Sequence, residues 1–338
     1  MNKVLITFKT DKEQKEIIEH KLKDKVDIIF MDVVEPDKIK DVVQNVNILL
    51  VLRWNHIMNL IPYMPNIKII QSMSAGVDHV PFDILKDNIE VYGNAGAYSE
   101  PIAEHTFAFI LYFAKNIGYN MENMKNGIFD QYSYSMELRD KKIAIIGYGG
   151  IGKAIGKIAK SFGMYVYGIN RTGNINDEII TKGYSIKDID KIFPEMDVVV
   201  LSLPLSKTTY EIIDKTKLSF LKKNCILINV GRGAVIKEED LYDFLISHPD
   251  VKFGTDVWWS YTDKNDKFRS EYNFFELKNF IGSPHNSSMV PGIFNRALGR
   301  AVDNIVRYLN NEKLVGVINR TEYSNFNLKD RSAMNIKM

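Results

Sequence analysis

Gly147-Tyr148-Gly149-Gly150-Ile151-Gly152 is the stretch of this sequence whose spacing most directly implies chemistry. It follows the apolar run Ile143–Ile146 and opens a helical pattern from Lys153 to Phe162. A G-x-G-x-x-G motif between a strand and a helix is a dinucleotide-binding pattern. Gly147 permits a tight turn, Gly149 lets the backbone approach a pyrophosphate, and Gly152 brings helix and strand close. The helix start supplies free N–H groups and a positive dipole end. The loop predicts cofactor contacts at Tyr148, Gly149, Gly150 and Ile151, against the alternative of a glycine-rich turn with no ligand.

The next strand ends at Asn170-Arg171-Thr172, where a carboxylate is expected to hold the ribose 2′-OH of NAD. An amide and a guanidinium stand there instead. A carboxylate would repel a 2′-phosphate, whereas arginine offers it charge-assisted, often bidentate bonds. NADP(H) is therefore favoured over NAD(H), with Asn170, Arg171 and Thr172 at the adenosine ribose. In the alternative, Arg171 stacks on adenine or faces solvent, and NAD binds.

These residues need a parallel sheet to carry them. In the first hundred residues Val4–Phe8, Val26–Phe30, Ile48–Leu52, Ile67–Gln71 and Val91–Tyr92 read as strands. Helices near Lys12–Leu22, Pro36–Val43 and His56–Met64 connect them. Such alternation predicts an α/β unit. Ser99-Glu100-Pro101 opens a long helix to about Asn116, with Ser99 as N-cap. A second series follows: Lys142–Ile146, Tyr165–Ile169, Val198–Leu203, Ile226–Val230, Lys252–Val257 and Phe280–Gly282. These six strands are mostly continuous apolar runs, as in a sheet covered on both faces. A last helix, Ile293–Leu309, is expected to return to the first unit, and the polar tail from Asn319 to be disordered or an oligomer arm.

Further motifs occur in order around the glycine loop. Ser74-Ala75-Gly76-Val77-Asp78 and Ala103-Glu104-His105 precede it. Leu203-Pro204-Leu205-Ser206-Lys207-Thr208-Thr209, Asn229-Val230-Gly231-Arg232-Gly233-Ala234, Thr255-Asp256-Val257 and Ser283-Pro284-His285 follow it. Over most of its length the chain resembles the D-isomer-specific 2-hydroxyacid dehydrogenases, which include glyoxylate/hydroxypyruvate reductases and phosphoglycerate dehydrogenase. The resemblance implies two Rossmann-like, doubly wound parallel-sheet domains, the cofactor domain inserted into the substrate domain. Residues 101–289 would form the cofactor domain, and 1–100 with 290–338 the substrate domain.

It also implies roles. Arg232, between two glycines, would grip the carboxylate and carbonyl oxygens of a 2-oxo acid. His285 would give a proton to the carbonyl oxygen in reduction and take the hydroxyl proton in reverse. Ala75, Gly76 and Val77 would offer N–H groups to the substrate carboxylate, with Arg53 either a second contact or a surface residue. Leu203, Pro204, Thr209, Val230, Gly231, Asp256 and Ser287 would line the cofactor, Asp256 on its nicotinamide side. Closure of a cleft, hinged near Ser99 and after His285, would expel water. A homodimer through the cofactor domain is implied as well.

One position departs from the pattern. A glutamate is expected five residues after Asp256, to pair with the histidine, and Tyr261 stands there. Either Asp263, Asp266 or Glu271 reaches His285, or the enzyme works with a less basic histidine. Trp258 and Trp259 either line the substrate mouth or serve as packing and interface anchors, while His105 reads as a core or hinge residue.

The expected activity is NAD(P)-dependent reduction of a small 2-oxo acid, of glyoxylate or hydroxypyruvate type, to the D-2-hydroxy acid, and the reverse. A dinucleotide-sensing regulator of the corepressor type is the alternative from another class, and phosphoglycerate oxidation the alternative among enzymes. Bulk composition agrees with a globular protein: 44 basic and 42 acidic residues are interspersed, which points to neither nucleic-acid nor membrane partners. A lone Cys225 permits no intrachain disulfide, and the other histidines lack metal-ligand spacing, so no metal is expected. With no signal-like N-terminus, a cytoplasmic location is the default.

Overall fold

The structure is a computed structural model that describes residues 1–55, 57–261, 267–268, 270–324 and 326. The chain divides into two compact units, one of Met1–Tyr98 with a segment from Val290, the other Ser99–Met289. The first unit carries β1 (Lys3–Ile6), β2 (Asp27–Phe30), β3 (Ile48–Val51), β4 (Ile69–Ser72) and β5 (Glu90–Tyr92). All pair in parallel, in the order β2-β1-β3-β4-β5. The second carries β6 (Lys142–Ile146), β7 (Tyr165–Asn170), β8 (Lys182–Ser185), β9 (Val198–Leu201), β10 (Ile226–Asn229), β11 (Lys252–Thr255) and β12 (Phe280–Gly282). Its order is β12-β11-β10-β9-β6-β7-β8.

Both sheets are doubly wound. The strand order reverses between β1 and β3 and between β6 and β9, and ligands bind beyond the carboxyl ends of strands at such switch points. β3, β4, β9 and β10 are buried at every residue, because helices cover both faces. Burying each Val, Leu or Ile there contributes roughly 1.5–3 kcal/mol, which makes these strands the rigid base of the loops that follow.

Several elements differ from the sequence reading. The second sheet has seven strands, not six. The extra one, β8, pairs only with β7 at an edge and is exposed or half-buried, so it has no apolar run to announce it. β9 stops at Leu201, two residues early, because Ser202–Pro204 leave the ladder to form a loop and Pro204 has no N–H to donate. Ser99 lies inside its helix, Ser99–Ala114, and its buried hydroxyl has no hydrogen-bond partner, so it is not the N-cap. That helix ends before Asn116, whose φ of 53° is left-handed. The segment expected as a helix over His56–Met64 is a 3-10 turn, Met58–Tyr63, containing Pro62; His56 itself lies outside the described residues.

Helix Ile293–Leu309 packs in the first unit against Lys12–Leu22 and β4, with Ala297, Leu298, Ala301, Val302 and Ile305 fully buried. The segment after it is ordered on the same unit rather than a free tail. Val317 bridges Tyr92, Tyr323 stacks on Phe82 at 5.3 Å, and the Arg320 guanidinium donates to the carbonyls of Phe82, Leu85 and Lys86. Residues 327–338, the rest of the expected tail, lie outside the described residues. Among the described residues no helix is long and apolar enough to cross a membrane.

Candidate active site

Each glycine of the phosphate loop answers to a different constraint. Gly147 has φ 96°, and a Cβ there would meet the Ser202 carbonyl oxygen at 2.7 Å. A Cβ on Gly152 would meet the Gly147 oxygen at 2.6 Å, so helix and turn touch through backbone. A Cβ on Gly149 would meet nothing within 4 Å. The space over Gly149 is open while its neighbours are tight, which fits a group that must lie on the backbone. The first backbone bond of helix Gly150–Ser161 is Lys153 N–H to Gly149 O at 2.9 Å. The N–H groups of Gly150, Ile151 and Gly152 precede it at the positive end of the helix, where an anion is favoured. These residues fit the pyrophosphate of a dinucleotide.

Tyr148 is buried within the same loop. Its N–H donates to Ile169 O at 3.0 Å, and its ring is buried over Gly156 and Gly168. Burial pushes its phenol up to about 12, and the hydroxyl has no partner. The side chain belongs to the core. At the end of β7, Asn170 folds back on its own loop, accepting from Thr172 N–H at 2.9 Å and Gly173 N–H at 2.6 Å. Arg171 and Thr172 are exposed beside it.

Loops at the carboxyl ends of β9, β10 and β11 interlock through glycine contacts. A Cβ on Gly231 would meet Leu203 O at 2.5 Å, and one on Gly233 would overlap the Trp258 carbonyl group. Thr209 Oγ donates to Pro204 O at 2.6 Å and accepts from Ser206 N–H at 2.8 Å, which shapes the loop after β9. Buried Asn229 accepts from Gly231 N–H and donates to Arg232 O, and Val230 is buried with its N–H on Leu201 O. Arg232 is thus presented extended and half-buried, with Nη1 donating to Gly231 O at 2.8 Å.

Asp256 is 1% exposed. Its Oδ1 accepts from Ser283 Oγ at 2.5 Å and Asn286 N–H at 3.0 Å, and Oδ2 accepts from Ser287 N–H at 3.0 Å. One carboxylate therefore grips both sides of the loop that carries His285. At its apex His285 is exposed and left-handed, φ 55°, a strain of about 1–3 kcal/mol for a side chain of this kind that the clamp offsets. The Tyr261 ring lies 5.3 Å from the imidazole, tilted by 41°, and its hydroxyl accepts from Trp258 N–H. An aromatic ring thus stands where a carboxylate was expected. Glu271 sits beside Glu238, whose carboxyl is raised to about 6 by burial first and by the Glu271 charge after it. Asp263 and Asp266 lie outside the described residues.

Both tryptophans serve packing. Trp258 Nε1 donates to Ser283 O at 2.8 Å, while Trp259 stacks on Phe274 and donates to Ile236 O. His105, read from the sequence as a core or hinge residue, reaches Ser283 Oγ at 2.9 Å from helix Ser99–Ala114. Sequence reasoning gave Ser283 no role. Its position two residues before His285 was the one available signal.

In the first unit, Arg53 follows β3 and Ala75–Val77 follow β4, at carboxyl ends of adjacent strands. Ser74 N–H donates to Ser72 Oγ, Asn94 N–H donates to Ser74 O, and a Cβ on Gly93 would meet Ala75 O at 2.6 Å. Arg53, Ala75 and Gly76 are half-buried and Val77 is buried. Among the described residues no group of three or more His, Cys, Asp or Glu could hold a metal ion.

The family model of the D-isomer specific 2-hydroxyacid dehydrogenase NAD binding domain matches residues 107–287, just over half of the chain. The chain belongs to the D-isomer-specific 2-hydroxyacid dehydrogenases. This dehydrogenase is accordingly an oxidoreductase that acts on a CH–OH group with a dinucleotide of the nicotinamide type. It is 27% identical over 254 residues to the hydroxypyruvate reductase of Thermotoga maritima, covering 74% of this chain and 81% of that protein. It is 30% identical over 240 residues to the glyoxylate reductase of Thermococcus litoralis, covering 68% and 70%. Its fold matches the NADPH-dependent glyoxylate/hydroxypyruvate reductase from Sinorhizobium meliloti with a TM-score of 0.77, over 96% of this chain and 100% of that one, at 21% identity.

Proposed function

We propose that this dehydrogenase reduces a small 2-oxo acid of the glyoxylate or hydroxypyruvate type to the D-2-hydroxy acid, with NADPH preferred to NADH, and runs the reverse. The observation that carries this reading is the Asp256 clamp, which holds a strained, exposed imidazole at the same sheet edge as the Arg232 turn. Strain of this kind is kept where a side chain must be aimed.

Arg232 binds the carboxylate and the adjacent carbonyl oxygen of the acid with its fork, and so orients the carbonyl carbon. Arg53 and the N–H groups of Ala75, Gly76 and Val77 are proposed as carboxylate contacts on the first unit. Protonated His285 gives its proton to the carbonyl oxygen as that oxygen gains charge, and in oxidation the neutral imidazole takes the hydroxyl proton. When bound, the dinucleotide would supply the hydride to carbon 2 in reduction and accept it in oxidation. Gly150 and Ile151 would hold the pyrophosphate through N–H groups, and Gly149 would leave room for it. The Leu203–Pro204 loop, shaped by Thr209, would line the cofactor with Val230 and Gly231. Asp256 and Ser287 would lie on its nicotinamide side. Arg171 would take the 2′-phosphate, and Asn170, neutral and folded back on its own loop, would not repel it.

The same unit presents apolar side chains that a monomer would leave in water: Phe129 is 70% exposed, Tyr132 87% and Tyr134 98%. These exposed side chains support a homodimer through the cofactor unit. In sedimentation velocity a Phe129→Ser, Tyr132→Ser variant should then run as a monomer where the native chain runs as a dimer. The activity is tested by steady-state kinetics on a panel of 2-oxo acids, each with NADH and with NADPH. Turnover of none of them refutes the reading.

A further inference from the structure

We propose that His105 is a positioning residue for His285, acting through Ser283 and Asp256; its catalytic consequence rests on His285 being the proton donor assigned above. A serine hydroxyl has one proton, and a carboxylate accepts only. At 2.5 Å that proton lies between Ser283 Oγ and Asp256 Oδ1, with serine the donor. The 2.9 Å contact between His105 Nε2 and Ser283 Oγ then requires the imidazole to donate. The order is fixed: His105 Nε2–H to Ser283 Oγ, Ser283 O–H to Asp256. Each bond polarises the next.

The fold delivers this donor by simple means. His105 precedes Phe109 by one helical turn, and the two rings meet edge to face at 4.6 Å. Phe109 seats on Gly254 of β11, where a Cβ would meet Phe109 Cβ at 3.3 Å. The missing side chain on β11 thus lets helix Ser99–Ala114 approach closely enough for the imidazole to reach the end of β12. Ser283 is also held by its N–H on Thr255 O at 2.9 Å and by its carbonyl, which accepts from Trp258 Nε1. Two residues later the chain must enter the left-handed region at His285, a conformation that persists only where its surroundings over-determine it. His105 closes that set of constraints from helix Ser99–Ala114.

The test uses the full chain with His105→Leu, which removes the donor, His105→Gln, which keeps an N–H donor, and Ser283→Ala, which removes the link. Imidazole ¹⁵N shifts should show the native His105 with a protonated Nε2. The His285 ring signals should move or broaden in the Leu and Ala variants and return to the native position in the Gln variant. With the best 2-oxo acid, kcat should fall about 10- to 100-fold in His105→Leu, as for a misplaced catalytic group, with KM and the thermal midpoint nearly unchanged, and should recover to within about threefold in His105→Gln. A bare Nε2 on His105, an unmoved His285 signal in both the Leu and Ala variants, or equal kcat in the Leu and Gln variants overturns the proposal. If the native chain turns over no 2-oxo acid, the proposed function fails, and the two imidazole measurements still decide the positioning role.

Discussion

Gly147→Ala and Gly149→Ala, two residues apart in one loop, should have opposite consequences. At Gly147 the new methyl would lie 2.7 Å from the Ser202 carbonyl oxygen, and the φ of 96° is closed to alanine. The backbone strain costs about 1–3 kcal/mol and the overlap a similar amount, so about 3–5 kcal/mol together is a fair expectation. At ~2–4 °C per kcal/mol for a unit of this size, the melting temperature falls by roughly 6–20 °C. At Gly149 the methyl meets nothing within 4 Å. The small loss at a helix cap and the small gain from a stiffer unfolded chain nearly cancel, so melting moves by about 2 °C or less. What the methyl does fill is the space a pyrophosphate needs. Losing one charge-assisted bond to the Gly150 or Ile151 N–H, about 1.5–3 kcal/mol, weakens dinucleotide binding about 10- to 150-fold. Differential scanning calorimetry and titration calorimetry with NADPH and NADH read the two effects separately. If Gly149→Ala melts with Gly147→Ala, or binds both dinucleotides like the native chain, the open space over Gly149 is not the phosphate site.

Arg171→Asp should reverse the NADPH-over-NADH ratio of kcat/KM by 10-fold or more, since the new carboxylate repels the 2′-phosphate and suits a ribose hydroxyl; a retained NADPH preference refutes the cofactor assignment. Tyr148→Phe removes a buried hydroxyl that has no partner, so the chain should be stabilised by up to about 1–3 kcal/mol, with unchanged dinucleotide affinity, in thermal melts and titration. Glu238 carries a carboxyl raised to about 6 from 4.5, mainly by burial. Across that window the folded chain binds more protons than the unfolded one, so stability falls as pH rises. The melting temperature of Glu238→Gln should therefore gain on the native chain between pH 4.5 and 6, and parallel curves would refute the burial argument.

Much of this protein is legible along the chain because its causes are local. Continuous apolar runs mark β3, β9 and β10, since strands covered on both faces need no polar alternation. The spacing of Gly147, Gly149 and Gly152 marks the phosphate loop, since turn, approach and packing each depend on the residue's own missing Cβ. Edge strand β8 has no such signature, and its pairing with β7 is a property of its neighbour. Ser99 misleads for a related reason: a serine before a helix has a local role that its burial inside the helix overrides.

By itself the sequence determined the doubly wound units, the loops at their carboxyl edges and the residue types those loops carry. Tertiary structure alone decided how His285 is held. Asp256 meets donors 27 to 31 residues away, and His105 meets Ser283 across 178 residues. No periodicity or spacing encodes such contacts, because they exist only once β11, β12 and the helix over Gly254 have packed. Where a glutamate was expected, packing has likewise set a tyrosine ring against the imidazole.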